Sequence, residues 1–387
     1  MTLRIGVIGA NWALRAHGAA WALVPGAEVV AVCTSRRDTA DAAAAAYGLT
    51  GAYDDYRLMM ADPTIDIVDI ATKPSVRPDM VFAALEAGKH VNNAIPFAMS
   101  APQALAMRDL QLGRGLVGVV DAQFRWVPAY SRMKEMIDDG FLGEAVHATM
   151  TLQLPLTYDK GDLYPAIVCS AGENSHLWLG EAGSGASAWR NFGSHSLLML
   201  THLLGPIEEI VASTDIHLQT WQLPAGGTFQ PANDDVGVAL VRFVSGAVAT
   251  VTATWITPDP DCVFLEVSGT RGRLAIRDRT FGRDPHVPLR AVDARPRNGS
   301  SGEWSEPLPE RLYTVAGGGY GKDDAPHTLT PLARMFEHMA RAIDDGTEGS
   351  PSFSEASHVH CAVEAGAHSM LSRSWTRVDQ FERASGP

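Results

Sequence analysis

Two short stretches near the amino terminus carry residues of the kind that hold phosphate. In the first, the apolar run Leu3 to Ile8 stops at Gly9, and Asn11 and Trp12 follow before the helically spaced Ala13 to Leu23. A strand that turns on a glycine into a helix aims free backbone N–H groups at the space above the sheet, which suits a pyrophosphate. Of a full G-x-G-x-x-G pattern only Gly9 is present, with Asn11 and Leu14 at the other two positions. Asn tolerates positive φ and can still make the turn, while the Asn11 and Trp12 side chains crowd the place of a dinucleotide. In the second stretch, the strand Glu28 to Cys33 ends in Thr34, Ser35, Arg36 and Arg37. An acidic residue at this point would hold a ribose 2′-hydroxyl, and there is none. Two guanidinium groups and the Ser35 hydroxyl are instead donors suited to a 2′-phosphate. The pattern predicts NADP as cofactor, with NAD as the alternative.

Such residues need strands that end along one edge. Helical spacing over Asp38 to Tyr47, a connection at Ala52 to Tyr56, and a helix starting at Tyr56 lead to a strand at Ile65 to Ala71. A helix at Pro78 to Ala87 ended by Gly88, a strand at His90 to Asn92, a helix at Pro102 to Leu112 and a strand at Leu116 to Asp121 continue the alternation. This predicts a Rossmann-type, doubly wound parallel sheet over residues 1–122, with ligands at the carboxyl ends of the strands. The loops to inspect are Thr72, Lys73, Pro74 and Ser75; Asn93 to Pro96; and Asp121 to Arg125, which holds Gln123. Lys73 could place an ammonium near substrate or cofactor phosphates.

From residue 123 strands follow strands. A helix at Pro128 to Asp139, a strand at Ala145 to Leu154, a Gly-rich polar insert at Tyr158 to Ser187 and a helix at Asn191 to Leu204 precede strands at Glu209 to Ile216, Val236 to Phe243, Ala247 to Trp255, Val263 to Ser268 and Arg273 to Arg277. Turns at Ser245, Gly246 and at Thr270 to Gly272 predict a largely antiparallel open sheet in an α+β domain, residues 123–387. Pro285 to Asp324 reads as a loop, functional or oligomer-contacting. Leu329 to Ile343 and Ser354 to Ser372 read as helices, the latter capped within Ser354 to Ser357. Trp178 and Trp189 could wall a hydrophobic substrate site.

The chain has 387 residues and a net charge of −13, with a pI near 5.4. That balance lacks the basic face a nucleic acid or anionic membrane requires and favours a small-molecule partner. The four cysteines, Cys33, Cys169, Cys262 and Cys361, form no CxxC pair and read as reduced thiols. With neither a signal-peptide pattern nor a twenty-residue apolar span, the expected location is cytoplasmic.

Val7, Ile8, Gly9 with His17; Ala31 to Thr34; Ala87 to Val91 with Pro96; Phe124, Arg125, Pro128; Gly140, Gly143, Glu144; and Gly193, Ser194, His195 with Leu203 and Gly205 together resemble the glucose-fructose oxidoreductase / inositol dehydrogenase / MocA family. The likeness covers nearly the whole chain and is nearer to the branch of the galactose-regulon repressor and its oxidoreductase-like relatives. It implies hydride transfer between NAD(P) and a hydroxyl or carbonyl carbon, often of a sugar, and an open sheet that packs in homo-oligomers, dimeric or tetrameric. By the same likeness Arg125 and Gln123 face the nicotinamide or substrate. The family's Glu-Lys-Pro signature is here Ala94, Ile95, Pro96, so its lysine is missing. Its Asp-x-Gly-x-His-x-x-Asp pattern becomes Asn191 to Leu198, which keeps only Gly193 and His195. Oxidation of an alcohol needs a base for the hydroxyl proton. His195 is the first candidate, with Lys73, Asn191 and Arg125 as the other catalytic candidates. Tyr130, Tyr158, Lys160, Tyr164 and His176 are further donors near the domain junction or in the insert. Two alternatives accompany this reading: a redox-neutral lyase or hydrolase with tightly held nucleotide, and a nucleotide-sensing regulatory protein without catalysis.

Overall fold

The run Leu3–Ile8 is apolar on both faces, as a strand covered by helices on both sides must be, and as β1 it lies inside the first sheet. The computed structural model describes residues 2–154, 177–222, 227–257, 261–280, 284, 286–294, 302–315 and 329–383. Beside β1 lie β2 (Ala27–Cys33), β3 (Gly51–Tyr53), β4 (Ile67–Ile70), β5 (His90–Asn93) and β6 (Gly118–Val120). All pair parallel in the order β3-β2-β1-β4-β5-β6, the doubly wound topology expected. β3 replaces the plain connection read at Ala52 to Tyr56, because three residues are too few for periodicity to reveal. A π-helical turn, Ala13–Gly18, runs into α1 (Ala19–Trp21). It is followed by α2 (Arg37–Tyr47), α3 (Tyr56–Met60), α4 (Arg77–Glu86) and α5 (Ala101–Gly113).

The second half begins with α6 (Pro128–Asp138) and β7 (Ala145–Gln153). After a second π-helical turn, Trp189–Gly193, come α7 (Ser194–Leu204) and β8 (Ile207–Asp215). β9 (Trp221–Gln222) and β10 (Thr228–Phe229) form a small separate pair. Then come β11 (Val236–Phe243), β12 (Val248–Thr254), β13 (Val263–Gly269), β14 (Gly272–Asp278), β15 (Leu289–Asp293) and β16 (Trp304–Glu306), with α8 (Thr330–Asp345), α9 (Phe353–Ser372) and β17 (Thr376–Arg377) closing the chain. Among the described residues the order of this sheet is β16-β15-β14-β13-β7-β12-β11-β8-β17, antiparallel except for β7 beside β12. The stretch 285–324 is therefore not wholly loop: β15 buries Leu289 and Ala291, and β16 pairs with it at the sheet edge. Its many Pro, Gly and Arg residues mask two short strands, of which β16 forms the sheet edge. Met150, Leu152, Val241, Val251 and Leu265 fill the inner face, while Val238, Leu240 and Val248 point outward.

The carboxyl-terminal segment returns to the first sheet. α8 buries Leu332, Met335, Phe336 and Met339, and Phe336 stacks on Trp21 at 4.1 Å. At the head of α9 the cap is Ser352, ahead of the expected Ser354 to Ser357. Its Oγ accepts the Glu355 N–H at 3.1 Å and its own N–H donates to Glu355 Oε2 at 3.0 Å, a capping box. The fully buried Phe353 lies over Gly118, where any Cβ would come within 2.7 Å of its ring, so this position of β6 must be glycine. Among the described residues no helix is long and apolar enough to cross a membrane.

Beneath the carboxyl edge of this sheet is a fully buried histidine. His17 Nδ1 lies 2.9 Å from Asp69 Oδ1 and Nε2 lies 3.0 Å from Asp121 Oδ2. Trp21 Nε1 donates to Asp69 Oδ2 at 2.8 Å, and Asn92 Nδ2 donates to Asp69 Oδ1 at 2.9 Å. Burial alone would lower the imidazolium pKa, but the two carboxylates reverse this and hold it up at about 10. Since the ordinary value is 6.5, the stability this pairing contributes is complete below that pH and is lost as pH rises through about 10. His17→Gln leaves two buried carboxylates without their cation, for an expected loss of about 3–5 kcal/mol near neutrality. In thermal melts the advantage of wild type over the variant should shrink from pH 6.5 to 10. An advantage that stays constant over that range would show that His17 carries no charge.

Candidate active site

The strands of the first sheet deliver five loops to one edge. At Gly9, after β1, φ is +113° and the N–H donates to Cys33 O at 2.9 Å. A Cβ here would meet Ala71 O at 3.4 Å and Ala13 Cβ at 3.5 Å, so only glycine keeps both the backbone conformation and the close approach. The following helix starts at Trp12 with no side-chain cap, leaving its first N–H groups directed above the sheet. Asn11 is exposed; the Trp12 ring is half-buried and packs edge-on 6.0 Å from His17, its body against the core and not free to fill the loop. A turn without a Cβ, opening on an uncapped helix start, fits a dinucleotide's phosphates.

After β2, the Thr34 hydroxyl is 2.8 Å from Arg36 O and 2.6 Å from Thr39 Oγ1, so it builds the turn. Ser35 and Arg36 are exposed, and Arg36 Nε stands 3.3 Å from Asp38 Oδ1. Arg37 differs from expectation: its Nε and Nη2 bind Asp41 at 3.0 and 2.6 Å, and Nη1 donates to Ala52 O at 3.0 Å. That fork ties α2 to β3 and is not open to a phosphate.

After β4, Lys73 is exposed and Pro74 is buried. The Thr72 hydroxyl lies 3.6 Å from Met80 Sδ, while its carbonyl accepts Arg77 Nε at 3.0 Å. Arg77 Nη1 also donates to Ala94 O and, at 2.8 Å, to Pro96 O. One buried guanidinium thus joins the loops after β4 and β5, and the Ile95–Pro96 bond in the latter is cis. Asn93 is buried, with Nδ2 on Phe97 O at 2.9 Å and Oδ1 without a partner. After β6, Asp121 N–H donates to Asn93 O at 2.9 Å, and Gln123 opens a short 3₁₀ turn, Gln123–Trp126. Arg125 in that turn does not face a ligand space. Its guanidinium is spent on Ser350 Oγ at 2.8 Å, both Glu355 oxygens at 3.1 Å and Leu198 O at 3.4 Å, so it is a buried strut between α7 and the head of α9.

The second domain contributes the turn before α7. Arg190 donates to Gly185 O at 2.8 Å, and to Ala98 O and Met99 O of the first domain at 2.8 and 3.1 Å. Gly185, with φ +80°, sits against Met99 and Pro74 where a Cβ would collide. Asn191 Oδ1 accepts the Ser187 N–H at 3.2 Å, a structural use of the amide. His195 in α7 is half-buried, edge-on to Phe124 at 5.3 Å, and its Nδ1 is buried without a partner. Burial pulls its pKa down to about 4 against the opposing charge of Asp121, so the ring is neutral at physiological pH.

Two further expectations change. Trp189 is core: Nε1 donates to Val363 O at 3.1 Å, and Gly193, Gly237 and Gly366 make room for its ring, so it walls no substrate site. Tyr130 is wholly buried beneath the second sheet. Tyr158, Lys160, Tyr164 and His176 lie outside the described residues. Arg77, Arg190 and Asp69 carry no mark in the sequence, because each has partners far along the chain and no local pattern marks a buried charge.

This cleft carries the features of a nucleotide-dependent oxidoreductase. A family profile described as the oxidoreductase family with NAD-binding Rossmann fold matches residues 3–121, and that of the GFO/IDH/MocA C-terminal domain matches residues 130–275. The chain belongs to the GFO/IDH/MocA oxidoreductase family, and it is an oxidoreductase. It is 28% identical to levoglucosan dehydrogenase of Pseudarthrobacter phenanthrenivorans over 98% of this chain and 99% of that one. An NAD-binding oxidoreductase from Klebsiella pneumoniae superposes with a TM-score of 0.85 at 26% identity, covering 98% of this chain and 99% of that one. Levoglucosan dehydrogenase in complex with NADH and levoglucosan superposes at 0.82 and 25% identity, covering 98% and 100%.

Proposed function

We propose that the protein moves a hydride between a nicotinamide dinucleotide and a hydroxyl-bearing carbon of a sugar-like small molecule, with His195 in place of the family lysine as the group that takes or gives the proton. The observation that carries this is a neutral, half-buried imidazole on the second-domain side of the cleft, beside the carboxyl edge of the first sheet. When bound, the nicotinamide supplies the hydride acceptor or donor. Gly9 and the uncapped helix start would hold its phosphates, and His195 would accept the substrate's hydroxyl proton in the oxidative direction. The kinship with a dehydrogenase named for levoglucosan supports a sugar-like substrate. With Trp189 committed to the core, half of the tryptophan pair that favoured a hydrophobic alcohol is gone. Removing a general base costs about 10²–10⁴ in rate. His195→Ala should therefore lower turnover of sugar substrates on that scale while dinucleotide affinity stays near wild type, and unchanged turnover would exclude His195 from the chemistry.

On the cofactor, the absence of an acidic residue after β2 and the exposed pair Ser35 and Arg36 support NADP, although Arg37 is committed to Asp41. A charge-assisted hydrogen bond is worth about 1.5–3 kcal/mol, roughly ten- to a hundredfold in affinity. Arg36→Ala should weaken NADPH by that factor and leave NADH nearly unaffected in fluorescence titrations. A wild-type preference for NADH would overturn this assignment.

The same reading includes a homo-oligomer, dimeric or tetrameric, built on the outer face of the second sheet. Val238, Leu240 and Val248 stand 46, 48 and 42% exposed there. Leu240 lies beside Val211 on one strand and Thr250 on the other, so exposed apolar side chains alternate with threonines on this face. Sedimentation of wild type at micromolar concentration should give a dimer or larger, and Leu240→Asp should shift it toward monomer. A monomeric wild type would refute the assembly.

A further inference from the structure

A histidine that moves a proton works best when one ring nitrogen is held and the other presented to the substrate. Two atoms near His195 have no partner of their own. His195 Nδ1 and Asp121 Oδ1 are both buried and unpaired, and the charge of Asp121 is felt at His195. The turn that begins at Asp121 carries Phe124, whose ring packs edge-on against His195 at 5.3 Å, so the head of α7 rests on this turn.

Asp121 is itself fixed in place. Its N–H donates to Asn93 O at 2.9 Å, and its Oδ2 is bound to His17 Nε2 at 3.0 Å. His17 is in turn held by Asp69 at 2.9 Å. Only Oδ1 is left to act, and an ionised carboxylate can accept on both oxygens. The other nearby group of suitable type, Asn191, is a neutral amide already engaged with Ser187.

The geometry points to Asp121 as the positioning carboxylate for His195, accepting the imidazole Nδ1–H through one bridging water and leaving Nε2 for the substrate hydroxyl. This rests on the reading of His195 as the proton-transfer group. In the oxidative direction the substrate O–H bond breaks with its proton going to Nε2, and the carbinol C–H bond breaks with its hydride leaving to the oxidised dinucleotide, so the C–O bond becomes a carbonyl. Asp121 stays ionised throughout and faces an imidazolium on each side, His17 permanently and His195 only after it has taken the proton.

The wild-type protein labelled with ¹⁵N-histidine gives the direct test, with the His195 signals assigned by their loss in His195→Gln. The expected spectrum near neutrality is the neutral tautomer protonated on Nδ1. In Asp121→Asn that preference should weaken, kcat should fall about tenfold or more with KM nearly unchanged, and Asp121→Glu should restore part of the rate. A wild-type His195 protonated on Nε2 overturns the inference, even if Asp121→Asn fails to fold. If His195→Ala is inactive while Asp121→Asn keeps both its tautomer and its kcat, the role of Asp121 falls and the proposed function stands. If His195→Ala turns over normally, the proposed function falls, and the tautomer still decides whether Asp121 orients the ring.

Discussion

The buried contact of His17 with Asp69 and Asp121 is the constraint on which the rest of the first domain depends. Its members come from the helix after β1, the interior of β4 and the end of β6, and Asn92 of β5 joins them. Removing such charges from water is expensive, and it is tolerable because both His17 nitrogens and both Asp69 oxygens have well-placed partners. The spacing of four parallel strands is thereby fixed from within, directly below the loops that carry Gly9, Asn93 and Asp121. A sheet held by apolar packing alone would tolerate small slips between strands, and this network does not.

A second layer of buried cations sets the loops themselves. Arg77 gathers carbonyls from two loops of the first domain, Arg190 reaches from the second domain to the carbonyls of Ala98 and Met99, and Arg125 ties α7 to the head of α9. The planar guanidinium suits this work because its donors are fixed in direction and little freedom is lost for each bond made. The same economy explains why basic residues near the cleft are poor guides to ligand binding: their donors are satisfied by the chain itself, whereas Arg36 and Lys73 stand in solvent.

Most of the architecture was legible because the elements are long or flanked by clear signals. The alternation of apolar strands with helices through Asp121 exposes the parallel sheet, and the turn residues around Gly246 and Gly272 expose the antiparallel one. What was hidden was short or non-local. β3 and β16 have three residues each. Ser352 caps α9 only by virtue of Glu355, and serines crowd that region of the sequence. Trp189 looked like a cleft wall because nothing local reveals the three glycines, two of them far along the chain, that receive it. Arg125 looked like a ligand donor for the same reason, as its partners become visible only once the chain is folded, whereas the Arg37 partner Asp41 lies four residues on along the same helix. His195 is the opposite case, since resemblance marked the residue, while only the fold reveals its buried, unpaired nitrogen.

The departures from the family signatures all remove charge. Ala94, Ile95, Asn191 and Leu198 stand where the family signatures have Glu, Lys, Asp and Asp, so one cation and three carboxylates are replaced by uncharged side chains. Restoring the lysine alone at Ile95 would leave an uncompensated charge in a partly buried space, which is costly. What remains is a neutral imidazole beside a carboxylate already balanced by His17. On the proposed reading, a proton taken up by His195 creates a charge that Asp121 meets through the bridging water in a site of low polarity, where such an interaction is stronger than in water. If His195 carries the proton, the charge-bearing groups lie at the turn after β6 and not in the loop after β5, above the buried network that holds Asp121 in place.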